Sequence, residues 1–399
     1  MNEEQELRDR LAAVEVPPSR IEIDALVSAG RRRAFRRRSV QGVGGVALAT
    51  ALLLAVPSIL TRAGAQPAAG LAEASADPTA TVEPTGATDP TASPAATAWD
   101  GHCTMMELPV PGGMKDVTAD AVDPAGWYVV GNSVVGQDFR PVLWTDGQPQ
   151  ALPVPGQSVQ VTAVNSSGIA VGLVENGPQE EYVFRYEKGA YTRLRTPPGN
   201  WHVYPTPAIN AGGDVVINAE PRGNSGGKDS IVLLWKAGST TAAKLRLPDG
   251  ANAYDITDDG TIVGAIYRNG VATTAYAWDQ QGKGRKLKAP AGETGAAYAA
   301  EGDWATGGLW PSHSGALWNI RTGEVTDLDK EGPGQSVNAV GWVVTNGVLV
   351  RDGAAVDLSV PSGQAGFASA VSDTGLVVGQ ARSSDSNDHQ NLGPRVWRC

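Results

Sequence analysis

The chain has 399 residues, of which 32 are Lys or Arg and 42 Asp or Glu, a net charge of −10. Residues 1–38 hold nine arginines against seven acids, net +2, so the remainder, with 23 basic and 35 acidic residues, is net −12 and lacks a basic stripe. That distribution excludes nucleic acid as a partner. Two cysteines and four scattered histidines exclude a zinc cluster built from those side chains, and the sequence implies no cofactor and no metal.

The first 38 residues predict a cytoplasmic tail with short helices. Leu7, Leu11 and Val14 fall at helical spacing, Pro17-Pro18 breaks the run, and Ser19-Arg20-Ile21-Glu22 is a capping-box pattern. The plain reading is a solvated tail whose arginines set topology; the other is a docking segment for a cytoplasmic partner. In layout the stretch resembles the cytoplasmic ends of bacterial membrane-bound anti-sigma regulators, without their His/Cys metal pattern.

Ser39–Thr61 is free of charge for 23 residues. At 1.5 Å per residue that length crosses a hydrocarbon core of about 30 Å. Six arginines stand just before it, from Arg31 to Arg38, and only Arg62 just after. The positive-inside rule then places the N-terminus in the cytoplasm and residues 62–399 outside a single-pass cell-membrane anchor. The rival is a cleaved export signal: Arg32-Arg33 resembles a twin-arginine motif, and Ala63-Gly64-Ala65 a peptidase site that would leave Gln66 first. Residues 62–102, rich in Ala, Pro and Thr, predict a disordered linker.

From residue 103 to the end one pattern returns seven times. Its clearest copies are Ala121-Val122-Asp123 through Gly131, Ala163-Val164-Asn165 through Gly172, and Ala370-Val371-Ser372 through Gly379. In the first copy, strands are expected at Val117–Val122, Trp127–Gly131, Pro141–Trp144 and Ala151–Val154, with Asp146-Gly147 as a hairpin turn. Third strands end at Trp144, Phe184, Trp235, Trp278, Trp318, Val350 and Trp397; six steps separate 144 from 397, about 42 residues each. Short strands at that period predict an all-β, seven-bladed propeller, with the recurrent aromatics packed between blades. Blade five has a blurred first turn near Glu301-Gly302-Asp303, and blade six is short and lacks its aromatic.

The seventh repeat stops after its third strand. Met106–Gly112 matches Gln150–Gly156, so the N-terminal strand is expected to supply the missing fourth and close the ring. Cys103 and Cys399 would then meet at the seam as a disulfide, in a compartment where such bonds persist.

The Ala-Ile/Val-Asn-x-x-Gly-x-Val-Val-Gly pattern followed by a Leu-Trp strand resembles the bacterial extracellular HAF-type repeat. The resemblance covers residues 103–399 and implies an exported propeller-like domain, with no single activity attached.

No nucleophile elbow, metalloprotease helix, phosphate loop or dinucleotide fingerprint is present. The acidic turn Asp255–Gly260 sits where other repeats place an ordinary hairpin turn, which is the simpler reading than calcium. Loops between second and third strands and links between blades emerge on one face. Three carry aromatic or basic side chains: Pro197–Pro207 with Trp201, His202 and Tyr204; Ile266–Thr274 with Tyr267 and Arg268; Leu309–Ser314 with Trp310 and His313. These are candidates for binding a protein or glycan outside the cell by stacking; the alternative is that they fold inward and cover the channel. A binding or scaffolding module is the first expectation. A carbohydrate-active hydrolase or lyase with carboxylates at the channel mouth is the second, and a sensor signalling through the tail the third.

Overall fold

The computed structural model describes residues 102–177, 180–224, 229–385 and 390–399. The expected tail, membrane span and most of the linker lie outside them, as does His389. No helix among the described residues is long and apolar enough to cross a membrane.

Seven antiparallel sheets follow one another, an all-β, seven-bladed propeller with four strands to a blade, A to D from the channel outward. In blade one these are Val117–Val122, Tyr128–Val135, Asp138–Thr145 and Gln148–Ala151. The last three differ from the sequence expectation. Trp127 belongs to the A–B turn, and strand D starts directly after a tight turn in which Asp146 and Gly147 both take positive φ. Blade three alone splits its inner strand, into Trp201–Val203 and Ala208–Ile209. In blade five the usual longer turn contracts to Gly302-Asp303 between paired Glu301 and Trp304, which explains the blurred motif.

Blade seven takes strand D from the other end of the domain. Thr104–Glu107 pairs antiparallel with Asn391–Arg398, Thr104 opposite Arg398. Cys103 and Cys399 are disulfide-bonded beside that pairing, with Cα atoms 4.4 Å apart.

The core lies between blades. Each strand-C aromatic is fully buried and clusters with side chains of the preceding blade: Trp144 with Ala370, Val378 and Val396, Trp318 with Val263, Ala275 and Ala277. Four of the indoles also donate across the interface to the carbonyl just past the preceding strand D. Trp144 reaches Pro109 at 2.7 Å, Trp235 Arg195 at 3.0 Å, Trp318 Lys288 at 2.6 Å and Trp397 Ser359 at 3.0 Å. In these four blades the tryptophan is both filler and donor, whereas the buried Trp278 indole N–H has no acceptor among the described residues.

Strand A carries a bulge at one level in six blades, at Asp120, Thr162, Tyr254, Tyr298, Gln335 and Ser369. The extra residue bends the strand and re-aims side chains; here all six line the channel. The glycine of the Val-Val-Gly motif is the matching feature on strand B. A Cβ on Gly131, Gly172, Gly264, Gly307 or Gly379 would lie 1.8–2.0 Å from a strand-A carbonyl oxygen. Blade three, with its inner strand split, has Ile217 at that place.

Candidate functional site

A cavity of about 240 Å³ occupies the channel and is lined by all seven blades. It meets the face that carries the A–B turns; this is opposite to the face of the B–C turns and interblade links where the candidate loops lie. The turn residues are held by their own side chains. Asn165 Oδ1 accepts from the Ser167 and Ile169 amides (3.1 and 3.0 Å), and Asn338 Oδ1 from Val340 and Trp342 (3.3 and 2.8 Å). The amide groups then reach forward, Asn165 to the Asn210 carbonyl, Asn210 to Thr257 and Asn338 to Ser372.

Carboxylates gather on this frame. Asp258 and Asp373 each accept an amide from the preceding blade, Ala211 and Ala339, both at 2.7 Å. Asp255 accepts from Ala300 of the next blade at 2.8 Å. Glu301 stands at the turn position that elsewhere holds Asp123, Asn165, Asn210, Thr257, Asn338 or Ser372. Burial, then the charges of Asp373, Asp258 and Asp255, push Glu301 up to about 8. Burial raises Asp255 to about 7 against its two backbone hydrogen bonds, and burial also raises Asp373. Deeper in, burial lifts Asp120 to about 6 although Asn132 donates to it at 2.7 Å. No Lys, Arg or His lines the cavity among the described residues.

On the blade four and five side the wall is aromatic. Tyr254 and Tyr298 pack edge to face with centroids 5.0 Å apart, Tyr254 donates to the Tyr267 hydroxyl at 2.8 Å, and Trp310 lies 6.3 Å from Tyr298. Burial holds the Tyr254, Tyr267 and Tyr298 hydroxyls above the ordinary tyrosine range, hence protonated.

Of the sequence candidates, Tyr267 and Trp310 therefore come together, packed against Ala265, Ala272 and Ala296. Trp201, His202 and Tyr204 form a second group. The Glu181 carboxylate, 8 % exposed, accepts from His202 Nδ1 and Arg222, both at 2.7 Å, and from the Val203 amide at 3.1 Å. Tyr204 lies 6.0 Å from the His202 ring and donates to Glu220 at 3.3 Å. Arg268 and His313 are exposed and join neither group. The supposed loop at Ile266–Thr274 is two strands joined by the turn Asn269-Gly270, and Trp201–Val203 is itself a strand.

Sequence reasoning passed over Asp120, Asp255, Glu301 and Asp373 as site residues. The available signal was departure from the repeat: Asp255 stands where Ala121, Ala163, Ala208, Ala299 and Ala370 recur, and Glu301 replaces a short turn-capping side chain.

No protein-family model and no curated protein matches the chain. Solved structures similar to it include a puromycin hydrolase, 15% identical over 68% of this chain and 51% of the other, TM-score 0.46. A gluconolactonase from Xanthomonas campestris is 13% identical over 74% and 89%, TM-score 0.41. An oligogalacturonate lyase from Vibrio parahaemolyticus is 10% identical over 73% and 85%, TM-score 0.45. The chain spans about half the length of the puromycin hydrolase.

Proposed function

We propose that this protein is a membrane-anchored extracellular propeller acting as a binding module, and that the acidic cup of its channel takes a cationic group of a protein or glycan ligand. The observation that carries the reading is a cavity lined by all seven blades, with Glu301 set among Asp255, Asp258 and Asp373 and, among the described residues, no basic side chain in its lining. Crowded acids keep a proton they would otherwise lose; an entering ammonium or guanidinium favours the charged form and expels it. Binding is thereby coupled to proton release. Calorimetry of the full chain with N-acetyl-lysine methylamide, in two buffers of different ionisation enthalpy, tests this. We expect an uptake of protons by the buffer and a roughly tenfold weakening in Glu301→Gln; absence of binding at millimolar ligand overturns the reading.

The anchor rests on the uncharged run Ser39–Thr61 and its preceding arginines, and the Cys103–Cys399 bond supports an oxidising compartment. Mass spectrometry of the mature chain checks it, since a protein beginning at Gln66 is an exported one.

A second reading, a carbohydrate-active hydrolase or lyase, draws on the same carboxyls: Asp255 and Glu301 titrate near neutrality, where a general acid works. The unbalanced negative charge favours neutral or cationic sugars over polyuronates. Turnover of a fluorogenic glycoside, lost in Glu301→Gln, would select this reading over simple binding.

A further inference from the structure

The face that carries the cup also carries unpartnered apolar side chains. Trp127 is 60 % exposed in the A–B turn of blade one, and Val340 is 63 % exposed in that of blade six. The turn of blade seven lies between them and touches both neighbours. A Cβ on Gly126 would meet Thr374 at 2.8 Å, and one on Gly375 would meet the Trp342 ring at 3.2 Å. Val340, Asp373 and Trp127 thus stand on three contiguous turns, in an order apolar, acidic, apolar. Trp127 follows Pro124 by three residues and Val340 follows Val337 by three. Pro124 and Val337 line the cavity, so the backbone of each apolar residue is within about 11 Å of a rim residue.

We infer that this strip docks an extended segment of a partner protein, with a Lys or Arg over the cup and an apolar residue three places away on either side. The inference rests on the proposed binding of a cation by the cup. Charge complementarity selects the occupant. The chain's own linker, residues 62–102, has Arg62 against Glu73, Asp77, Glu83, Asp89 and Asp100. Its net charge has the same sign as that of the mouth and does not complement it. A basic segment is attracted to the cup, and its flanking side chains cover Trp127 and Val340.

The test uses the full chain in detergent, with N-acetyl-lysine methylamide and the peptide acetyl-Leu-Ser-Ser-Lys-Ser-Ser-Leu-amide as probes. We expect the peptide to bind at least tenfold more tightly than the single lysine. Trp127→Ala or Val340→Ser should remove most of that gain and leave the lysine probe unchanged, whereas Glu301→Gln should weaken both. Equal affinity for the two probes, or a peptide indifferent to both surface variants, overturns the docking strip while the cup reading stands. Failure of both probes to bind the unaltered protein overturns the cup and the strip with it. A photo-reactive benzoylphenylalanine at position 340 supplies the remaining check: cross-linking to the peptide supports the assignment, and cross-linking to residues 62–101 makes the linker the occupant and overturns it.

Discussion

The Asn165 side chain donates to the Asn210 carbonyl at 2.9 Å, and Asn210 occupies the same position one blade on. Its oxygen meanwhile caps its own turn, so one amide serves as local cap and interblade tie. The Asn side chain carries its acceptor and its donors on separate atoms, so it can do both at once. Asp123 can do the first, and it accepts from the Ala125 and Tyr128 amides at 2.9 and 2.6 Å, but it has no proton to donate.

Asn165→Asp therefore keeps the turn and loses the tie, placing a carboxylate against a buried carbonyl. We expect a loss of about 1–3 kcal/mol, the cost of an unpaired buried polar group, read by urea denaturation. Asn338→Asp should behave alike. An unchanged midpoint for both variants would show that the ties contribute nothing.

Gly172→Ala should cost more. The added Cβ would sit 2.0 Å from the Gln160 carbonyl oxygen and 2.8 Å from the Phe184 ring, so the bulge at Thr162 or the ring must shift. Overpacked cores typically lose about 1–3 kcal/mol, and backbone displacement adds to that. Gly136→Ala, where a Cβ would meet nothing within 4 Å, is the control for open space at a glycine of positive φ, +63°. The first variant should melt well below the second.

The architecture was legible because its determinants repeat. Seven strand-C positions, with Trp397 as clear as Trp144, fix the period, and Met106–Gly112 announces a strand D out of place. The cup was illegible for the converse reason. A repeat pattern directs attention to what recurs, whereas Asp255 and Glu301 are single departures whose convergence depends on blades four and five curling around a channel. Trp127 was misplaced for a local reason: the period-two run ending in Gly131 hides that its first residue is the last of the turn. The aromatics at 267 and 310 illustrate a third limit. Their spacing is that of strand ends, and only the fold shows them packed on Tyr254 and Tyr298.

Cys103 and Cys399 close a loop of nearly the whole domain, at a sequence separation of 296. Free-thiol labelling of the unreduced, denatured protein should find no reactive thiol. The paired variant Cys103→Ser with Cys399→Ser should lose stability, by up to about 5 kcal/mol in the chain-entropy picture of such a loop. Strand D of blade seven should be the first segment to exchange its amides once the link is gone, because four residues alone hold it to Asn391–Arg398. Retained protection there would mean that strand pairing suffices without the cross-link.

The last expectation concerns pH. Glu301 is raised to about 8 from an unfolded value near 4.5, and Asp255 to about 7 from near 3.8. Between those limits the folded protein binds more protons than the unfolded chain. By linkage, stability falls as pH rises. The contribution of the two groups is fully present below about pH 4 and is lost as pH passes 7 and then 8. This runs against the usual acid denaturation, in which carboxylates of depressed pKa destabilise the fold as they protonate; Asp259, lowered to about 2 by its bonds to Thr257 and Thr261 and by Arg321 despite the opposing effect of burial, is of that kind. Urea midpoints measured from pH 5 to 9 should decline from pH 5 to about 8, most steeply below 7 where both groups contribute, and level off above that. Glu301→Gln, which cannot ionise, should flatten the decline and be the more stable protein at pH 9. A midpoint that rises over pH 5–8, or a variant with the same slope as the parent between pH 7 and 8, would place the proton elsewhere than on Glu301.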